Sequence, residues 1–440
     1  MFQSLVLAAR FLGKKMAITL SAQTSQSPGQ MRTLTDNGRL CVQCKGGKLL
    51  CGLRQCPILD RIQVIAPRAQ ALKKDVFGPS PPNLFVGRAG YPEVYAGPLV
   101  SFDDEISSSN ALLCDDPSNW FGTPVKDIIN FRSGFARGMQ RSSVRKPTRE
   151  MEELSYALLA EKPVDMEVSF AKVPTYRISF SEVVQPMGPS APFSKLRLAS
   201  NPSIPKKTDS LMEENLDART AVSELLEADF GSYYIQKLLS AGLLGKKDRK
   251  KMVPTRWSIT ASDKIVADDH LDKVRNFETI SEVYAYSSEY LCNRFEILLL
   301  PGAWEFEQFE CWTPGTAWNA FGSTASIAHE YEGFGGRSDY AKEEGGGYYA
   351  GRIAAAEALL AQRRQAKVII IREIDEGYDV PVGVWEVREN ARNALRKGAD
   401  AKFSTLKEAL GYLAPRLKNP ISSYLAKSRI MGQTRLSAYF

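Results

Sequence analysis

Four cysteines lie within sixteen residues near the start of the chain, at Cys41, Cys44, Cys51 and Cys56, in the pattern C-x2-C-x6-C-x4-C. Four thiols in one short loop are typical of a tetrahedral metal site, whereas a disulfide framework spreads paired cysteines along a secreted chain. The spacing predicts a metal site with these four ligands and favours zinc, with an iron–sulfur cluster as the alternative. A closed shell of four thiolates leaves no position for water, so the metal is expected to be structural.

Three basic residues, Lys45, Lys48 and Arg54, lie between these cysteines. One interpretation is a knuckle that faces DNA with its basic side chains. The other is a structural staple that folds a segment too short to have its own core. The two interpretations are compatible, and the sequence leaves both open.

A second basic run lies at 246–251, and Arg256-Trp257 follows it. Lysines beside an aromatic side chain can contact phosphate and base together. The segment is therefore interpreted as a nucleic-acid contact through Lys247, Lys250, Lys251 and Arg256. The alternative is a solvated basic loop at a domain boundary.

The last eight residues, 433–440, have the sequence QTRLSAYF. They fit the pattern Q-x-x-Φ-x-x-a-a, with which many replication and repair proteins bind the sliding clamp (PCNA). Leu436, Tyr439 and Phe440 stand at i, i+3 and i+4, so one helical turn places them on one face as a hydrophobic plug. Gln433 precedes that turn and can hydrogen-bond in a second, polar pocket. The sequence therefore predicts the clamp as a partner.

The best candidate for a catalytic site is the glycine-rich region 329–352. Glycines before a helix can cradle a phosphate at the helix N-terminus. Arg337 could hold an anion there, and His329 or Glu330 could act as acid or base. Arg88, between Gly87 and Gly90, is a second candidate for close approach to a nucleotide. The alternative is a surface loop that its acidic residues keep solvated.

Complete catalytic signatures are missing from the sequence. It contains no Walker A, GxGxxG or GxSxG motif, and its two histidines nearly exclude a multi-histidine metal centre.

Strands and helices alternate along the chain and must position these residues. Short apolar runs predict buried strands, alternation predicts half-buried strands, and 3.6-residue periodicity predicts helices. The predicted strands are Phe295–Leu300, Val368–Ile371 and an alternating stretch over 168–184. The predicted helices are 345–364, 405–417 and 421–427. A further helix is predicted to begin at a capping box, Ser210-x-x-Glu213, and to run to Leu225. We expect an α/β or α+β mixed fold with a multi-element core, a small N-terminal zinc knuckle and a flexible C-terminal tail.

Charge is distributed unevenly. Residues 1–80 hold 12 Lys and Arg against 3 Asp and Glu, residues 391–440 hold 10 against 2, and the net charge of the whole chain is +7, so basic ends flank an acidic middle. Basic ends suit a polyanion such as DNA, although solvated tails have the same composition.

No stretch approaches 18 apolar residues, so we expect no membrane span. We expect a cytoplasmic protein that is associated with the nucleoid. Met16 is an alternative start to Met1.

Further segments carry a resemblance to a known family. They are Pro81–Arg88 with Gly90-Tyr91-Pro92, Lys162–Glu167, Val253–Trp257, Gly345–Arg352 and Pro381–Trp385. With the cysteine loop and the terminal peptide, they make the chain similar to the archaeal Nre proteins over nearly its whole length after about residue 35. The resemblance implies a role in DNA damage repair coupled to the sliding clamp.

This resemblance organises the chain into five predicted segments. They are a disordered leader and linker (1–35), a four-cysteine zinc segment (36–80), an N-terminal Nre-like domain (81–250), a C-terminal Nre-like domain (251–428) and a clamp-binding tail (429–440). Two hypotheses about function stand. One is a non-catalytic adaptor that binds damaged DNA and the clamp together, and the other is a nucleotide- or DNA-modifying enzyme that uses region 329–352.

Overall fold

The structure is a computed structural model. It describes residues 56, 59, 66–103, 106–176, 188–316, 319, 322–378, 380 and 382–432, and the backbone alone of three strands, β1 (Val6–Phe11), β2 (Lys14–Ala22) and β8 (Arg177–Phe180). Three of the predicted zinc ligands, Cys41, Cys44 and Cys51, lie outside the described residues, as do Lys45, Lys48, Arg54 and the terminal peptide 433–440. The fourth ligand, Cys56, is described, and it is buried.

Two compact units divide between Val266 and Ala267, within helix α6 (Thr255–Val274). In the N-terminal unit the further strands are β3 (Asp75–Ser80), β4 (Leu84–Val86), β5 (Glu93–Ser101), β6 (Phe135–Ser143), β7 (Val164–Phe170) and β9 (Ser190–Leu198). Its helices before α6 are α1 (Val125–Ser133), α2 (Arg149–Leu158), α3 (Lys206–Glu213), α4 (Ala218–Glu227) and α5 (Ser232–Ala241).

The C-terminal unit combines six strands with helices. The strands are β10 (Val283–Tyr290), β11 (Asn293–Leu300), β12 (Glu305–Trp312), β13 (Ser326–Glu332), β14 (Lys367–Ile374) and β15 (Ala401–Phe403). The helices after α6 are α7 (Gly346–Gln362), α8 (Trp385–Arg396), α9 (Leu406–Leu413) and α10 (Ile421–Leu425). The predicted mixed fold of strands and helices is confirmed.

The main sheet of the N-terminal unit has the strand order β3-β7-β9-β6-β5-β4. It curls so that β3 reaches β5: a Cβ atom added to Gly78 would lie 2.5 Å from the carbonyl oxygen of Ser101. The Ser80 hydroxyl also donates to the Leu99 carbonyl across this contact. The concave side of the curl is apolar and packs against α2, with Met151 and Leu154 fully buried. A separate sheet has the order β1-β2-β8.

The sheet of the C-terminal unit has the order β13-β12-β14-β11-β10-β15, and β12 and β14 are its parallel pair. Strand β14 is buried on both faces, as its sequence KVIIIREI suggests. Helices α7 and α8 cover the face that carries Arg372, and α9 and α10 cover the face that carries Ile369 and Ile371. We call these the α7/α8 face and the α9/α10 face.

Most of the predicted elements are confirmed. The runs Phe295–Leu300 and Val368–Ile371 lie in β11 and β14, and the helix predicted over 345–364 is α7. The helices predicted at 405–417 and 421–427 are α9, opened by a capping box between Thr405 and Glu408, and α10; both end a little earlier than predicted. The stretch predicted to alternate over 168–184 contains the end of β7 and all of β8.

The capping box predicted at Ser210 is wrong. Helix α3 begins earlier, after Pro205, and ends at Glu213. Ser210 therefore lies inside that helix, where its hydroxyl donates to the carbonyl of Lys207, and it does not occupy an N-cap position. The following helix, α4, has its own cap, because the carboxylate of Asp217 accepts from the backbone N–H groups of Arg219 and Thr220 in its first turn.

Across the described ranges, no helix is both long and apolar enough to cross a membrane. In the same part of the chain, no group of three or more His, Cys, Asp or Glu side chains is arranged to hold a metal ion.

Candidate nucleic-acid interface

The lysine run at 246–251 lies in a closed loop between α5 and α6, which we call the basic loop (243–251). Its two ends are joined, because the backbone N–H of Val253 donates to the Ser240 carbonyl at 2.9 Å and the Ser240 hydroxyl donates back at 3.0 Å. Gly242 makes the turn with a φ of 75°, and a Cβ atom there would lie 2.5 Å from the carbonyl carbon of Lys251. Only glycine combines this backbone conformation with so close an approach.

Within the basic loop, one helical turn brings like charges together. The N–H groups of Arg249 and Lys250 both donate to the Lys246 carbonyl. Lys247 is exposed, and burial together with the charge of Lys247 lowers the pKa of Lys250. Asp248 is the acidic member of the loop and lies 3.7 Å from Arg249. Apart from Asp248, the charged residues of the loop are basic, which suits a phosphate backbone.

A second loop, residues 87–92 of the β4–β5 hairpin, lies against the start of α6. The backbone N–H of Val86 donates to the Thr255 hydroxyl at 2.9 Å, so the hairpin is tied to the first residue of that helix. The rings of Tyr91 and Trp257 then meet with centroids 5.2 Å apart and planes tilted by 54°. The Lys251 ammonium donates to the Tyr91 hydroxyl at 3.3 Å. This contact joins the hairpin loop to the basic loop.

The beginning of α6 adds positive charge to the same surface. Its first turn contains Arg256, which is exposed, and no acidic residue. The N-terminal end of a helix carries partial positive charge, so an arginine there is unfavourable and an added anion is favourable. Arg88, in the hairpin loop, is also exposed. We call the whole group the basic aromatic surface: Arg88, Tyr91, Lys247, Lys250, Lys251, Arg256 and Trp257.

The basic aromatic surface provides two kinds of contact at once. Its lysines and arginines can neutralise phosphates, and its two rings offer flat apolar faces. The sequence indicated most of these basic residues and Trp257. It did not indicate Tyr91, which lies 160 residues before its partner Lys251. Tyr91 belongs to a segment, Gly90-Tyr91-Pro92, that the sequence connects only with the family resemblance.

The second predicted cluster, around His329 and Glu330, is split by the sheet. Consecutive residues of a strand point to opposite faces, so the two side chains of β13 separate. Glu330 lies on the α7/α8 face and pairs with Arg337, Oε2 to Nη1, at 2.7 Å. His329 lies on the α9/α10 face, stacked on Phe309, with its Nε2 2.8 Å from Oε1 of the fully buried Glu307. The structure therefore joins Glu330 to Arg337 but not to His329.

Close packing accounts for the glycines at the start of α7. A Cβ atom added to Gly347 would lie 2.2 Å from a carboxylate oxygen of Glu310, and one added to Gly351 would lie 2.0 Å from the amide oxygen of Gln308. The glycines therefore let the helix approach polar side chains of β12. Arg352 on the same helix is buried and bonded to Glu332 at 2.8 Å, so it belongs to the core of this unit.

Arg372 is the centre of the buried polar cluster on this face. Its guanidinium contacts the carboxylates of Glu310 at 2.8 Å and Glu386 at 3.1 Å, and it donates two hydrogen bonds to the side-chain oxygen of Asn293. Burial lowers the pKa of Arg372, but the two carboxylates outweigh it and the net shift is upward. Burial also raises the pKa of Glu386, to about 7. Arg372 thus connects Glu310, Glu386 and Asn293.

Glu344, just before α7, is a buried carboxyl of a different kind. Neither of its oxygens has a hydrogen-bond partner among the described residues. Burial, and then the charges of Glu310 and Glu330, raise its pKa well above the usual range. A carboxyl whose pKa is raised by folding opposes the fold once it ionises. The free energy of unfolding should therefore fall as pH rises from the ordinary range of a glutamate pKa towards the raised value.

Replacing Glu344 with Gln should remove this pH dependence. Gln resembles the protonated carboxyl, so the variant should match the wild type near pH 5 and have a higher thermal midpoint near pH 8. Thermal unfolding followed by circular dichroism at both pH values is the measurement, with the exposed Glu278→Gln as control. A variant less stable than the wild type at both pH values would contradict this account.

Two buried carboxylates on the α9/α10 face hold the last described segment of the chain. Glu373 accepts from the backbone N–H groups of Lys418 at 2.7 Å and Asn419 at 3.0 Å. Glu307 accepts from the N–H of Arg429 at 2.6 Å, and Ile430 beside it is buried. The segment that leads into the terminal peptide is thus part of the core of the C-terminal unit.

Comparison with known proteins matches almost the whole chain. The profile described as "Archaeal Nre, N-terminal" matches residues 50–319, and the one described as "Archaeal Nre, C-terminal" matches residues 332–439. No solved structure matches.

Three curated proteins are similar over most of their length. DNA repair protein NreB of Archaeoglobus fulgidus is 36% identical over 90% of this chain and 97% of its own, and DNA repair protein NreA of the same organism is 35% identical over 91% and 98%. DNA repair protein NreA of Haloferax volcanii is 31% identical over 80% of this chain and 86% of its own. Matches of this identity and extent show common descent along both units, and the chain therefore belongs to the archaeal Nre family.

Proposed function

We propose that this protein acts in DNA repair, that it binds DNA through the basic aromatic surface, and that residues 433–440 recruit it to the sliding clamp. The relatives named above are DNA repair proteins by name, and they cover both units of this chain. The observation that carries the DNA-binding part is the junction of Lys251 with the Tyr91–Trp257 pair. It places a cation and two partly exposed rings within one small area.

Electrostatic attraction to phosphate should dominate the affinity. Lys247, Lys250, Lys251 and Arg256 can neutralise about four phosphates, which release counterions when they are bound. The affinity for DNA should therefore fall by about a hundredfold between about 50 and 200 mM salt.

Replacing Lys251 and Arg256 together with Ala should weaken DNA binding and lower its salt dependence. Each lost phosphate contact reduces the slope of log affinity against log salt by about one, so the double variant should lose about two. Fluorescence anisotropy with a labelled oligonucleotide at several salt concentrations measures this. The control is Lys172→Ala, an exposed lysine after β7. An unchanged slope in the double variant would place the DNA contact elsewhere.

We also propose that Cys41, Cys44, Cys51 and Cys56 bind one structural zinc ion. The four thiols supply the softness and number of ligands that zinc takes in closed sites. Lys45, Lys48 and Arg54 would then form a second basic contact beside the metal. The burial of Cys56 is compatible with a ligand that is shielded from water.

Replacing Cys44 with Ser should release the zinc. Three thiolates leave the shell open, and metal binding to such short segments supplies much of their folding free energy. Elemental analysis of the purified protein should give one zinc per chain in the wild type and much less in the variant. The control is Cys292→Ser, an exposed cysteine of the C-terminal unit. Wild-type protein with neither zinc nor iron would refute the site.

A further inference from the structure

We propose that Tyr91 and Trp257 form a stacking site for unpaired bases, so that the DNA bound at the basic aromatic surface is single-stranded or contains unpaired nucleotides. The proposal rests on the proposed function and names the class of DNA. It concerns the two rings, whereas DNA binding as such depends on the surrounding cations. The two parts can therefore be tested separately.

Exposure of these rings is the first argument. Trp257 is 45% exposed and Tyr91 is 40% exposed, whereas Trp120, Trp304 and Trp385 are buried. Large aromatic side chains contribute most to stability when they are covered, so an exposed pair in contact is a candidate binding surface. A nucleobase is flat and of similar width, so it would cover either ring without a change in the backbone.

The positions of the rings are fixed by main-chain contacts. Trp257 lies in the first turn of α6, whose first residue, Thr255, accepts from the Val86 backbone. The β4–β5 hairpin loop is held on its other side, where the Val144 N–H donates to the Pro92 carbonyl at 3.1 Å. A site held in this way loses little conformational entropy when a base binds.

The tilt of the rings determines how a base can bind. Planes that meet at 54° do not form a parallel slot, so one base would stack on the outer face of one ring. The Lys251 ammonium at the Tyr91 hydroxyl then lies at the edge of the stack, where the sugar-phosphate backbone of the same strand would pass. Single-strand binding surfaces have this arrangement, in which an aromatic ring stacks on a base and a nearby cation contacts the phosphate.

Duplex DNA does not offer what the rings require. In a duplex the flat faces of the bases are covered by their neighbours, and the grooves present only base edges. A protein partner is the other possible occupant of two exposed rings. The rim of the site is basic and the first turn of α6 lacks an acidic residue, so the charge favours a polyanionic strand.

The test uses the full-length protein and a labelled oligonucleotide, as a single strand and as a duplex of the same sequence. Anisotropy should show tighter binding of the single strand, and Tyr91→Ala or Trp257→Ala should weaken it by about 5- to 100-fold. Tyr91→Phe and Trp257→Phe should retain most of the affinity, because they keep a ring. Tyr156→Ala, at another exposed tyrosine, is the control. Duplex binding should change little in all variants.

Tryptophan fluorescence gives an independent reading. A base stacked on Trp257 should quench its emission, so the single strand should quench the wild type more than Trp257→Phe, although five other tryptophans remain. Equal affinity for single strand and duplex, with no effect of either Ala variant, would overturn the stacking site but leave DNA binding intact. Absence of DNA binding at low salt would instead overturn the DNA-binding part of the proposed function, and the stacking site with it.

Discussion

Replacing Arg372 with Leu is expected to unfold the C-terminal unit or to leave it severely destabilised. The substitution removes the guanidinium that contacts Glu310 and Glu386 and the two hydrogen bonds to Asn293. Two carboxyl groups then remain buried without their cation. Breaking a buried ion pair from one side typically costs about 3–5 kcal/mol, a large part of the stability of a domain.

The size of the loss should depend on the carboxylates, and this can be tested directly. Combining Arg372→Leu with Glu310→Gln and Glu386→Gln removes the stranded charges, so the triple variant should regain part of the stability. Urea unfolding followed by circular dichroism measures both proteins. Arg364→Leu, at an exposed arginine, should change the midpoint little. A single variant as stable as the wild type would mean that the cluster contributes little.

The apolar layers of the C-terminal unit could be predicted from the sequence, but its polar interior could not. An uninterrupted apolar run such as Ile369–Ile371 predicts a strand that is buried on both faces, and these residues lie in the buried strand β14. Arg372 continues that run and looks like its exposed end. It is buried because two carboxylates meet it: Glu310, 62 residues earlier in the chain on the neighbouring strand β12, and Glu386 on helix α8. The residues next to Arg372 in the chain do not predict these buried ion pairs.

One reason decides which of the predicted site residues the fold brings together. The basic loop is continuous in sequence, so its lysines were predicted together. His329 and Glu330 are adjacent in sequence, and the two-residue period of β13 sends them to opposite faces. Tyr91 and Trp257 are far apart in sequence, and the fold brings them into contact. Local patterns therefore predict segments, while only the fold decides which segments share a surface.

The residues that precede the terminal peptide belong to the folded C-terminal unit. Glu307 binds the backbone of Arg429, and Ile430 and Met431 pack into the core of the α9/α10 face. The predicted tail, 429–440, therefore begins with three residues that the folded unit holds: Arg429 through its backbone N–H, and Ile430 and Met431 through burial. A truncation that is meant to test the motif alone should remove residues 433–440 and keep these three.

Removal of residues 433–440 should abolish binding to the sliding clamp. Burial of Leu436, Tyr439 and Phe440 in a groove of the clamp can each contribute about 1.5–3 kcal/mol. Ordering a free peptide offsets part of this gain, so the peptide should bind with a Kd of about micromolar. The thermal midpoint and the zinc content of the truncated protein should match those of the wild type.

Point variants test whether the side chains of the motif, and not merely the presence of the last eight residues, are needed for binding. Replacing Tyr439 and Phe440 with Ala should have nearly the effect of the deletion, because both rings belong to the plug. Replacing Thr434 and Ser437 with Ala should change the affinity by less than about twofold, since neither position belongs to the i, i+3, i+4 face. Calorimetry with purified clamp measures all four proteins. If the truncated chain bound the clamp as tightly as the wild type, the contact would have to lie on one of the two folded units, and the match of the last eight residues to the motif would be coincidental.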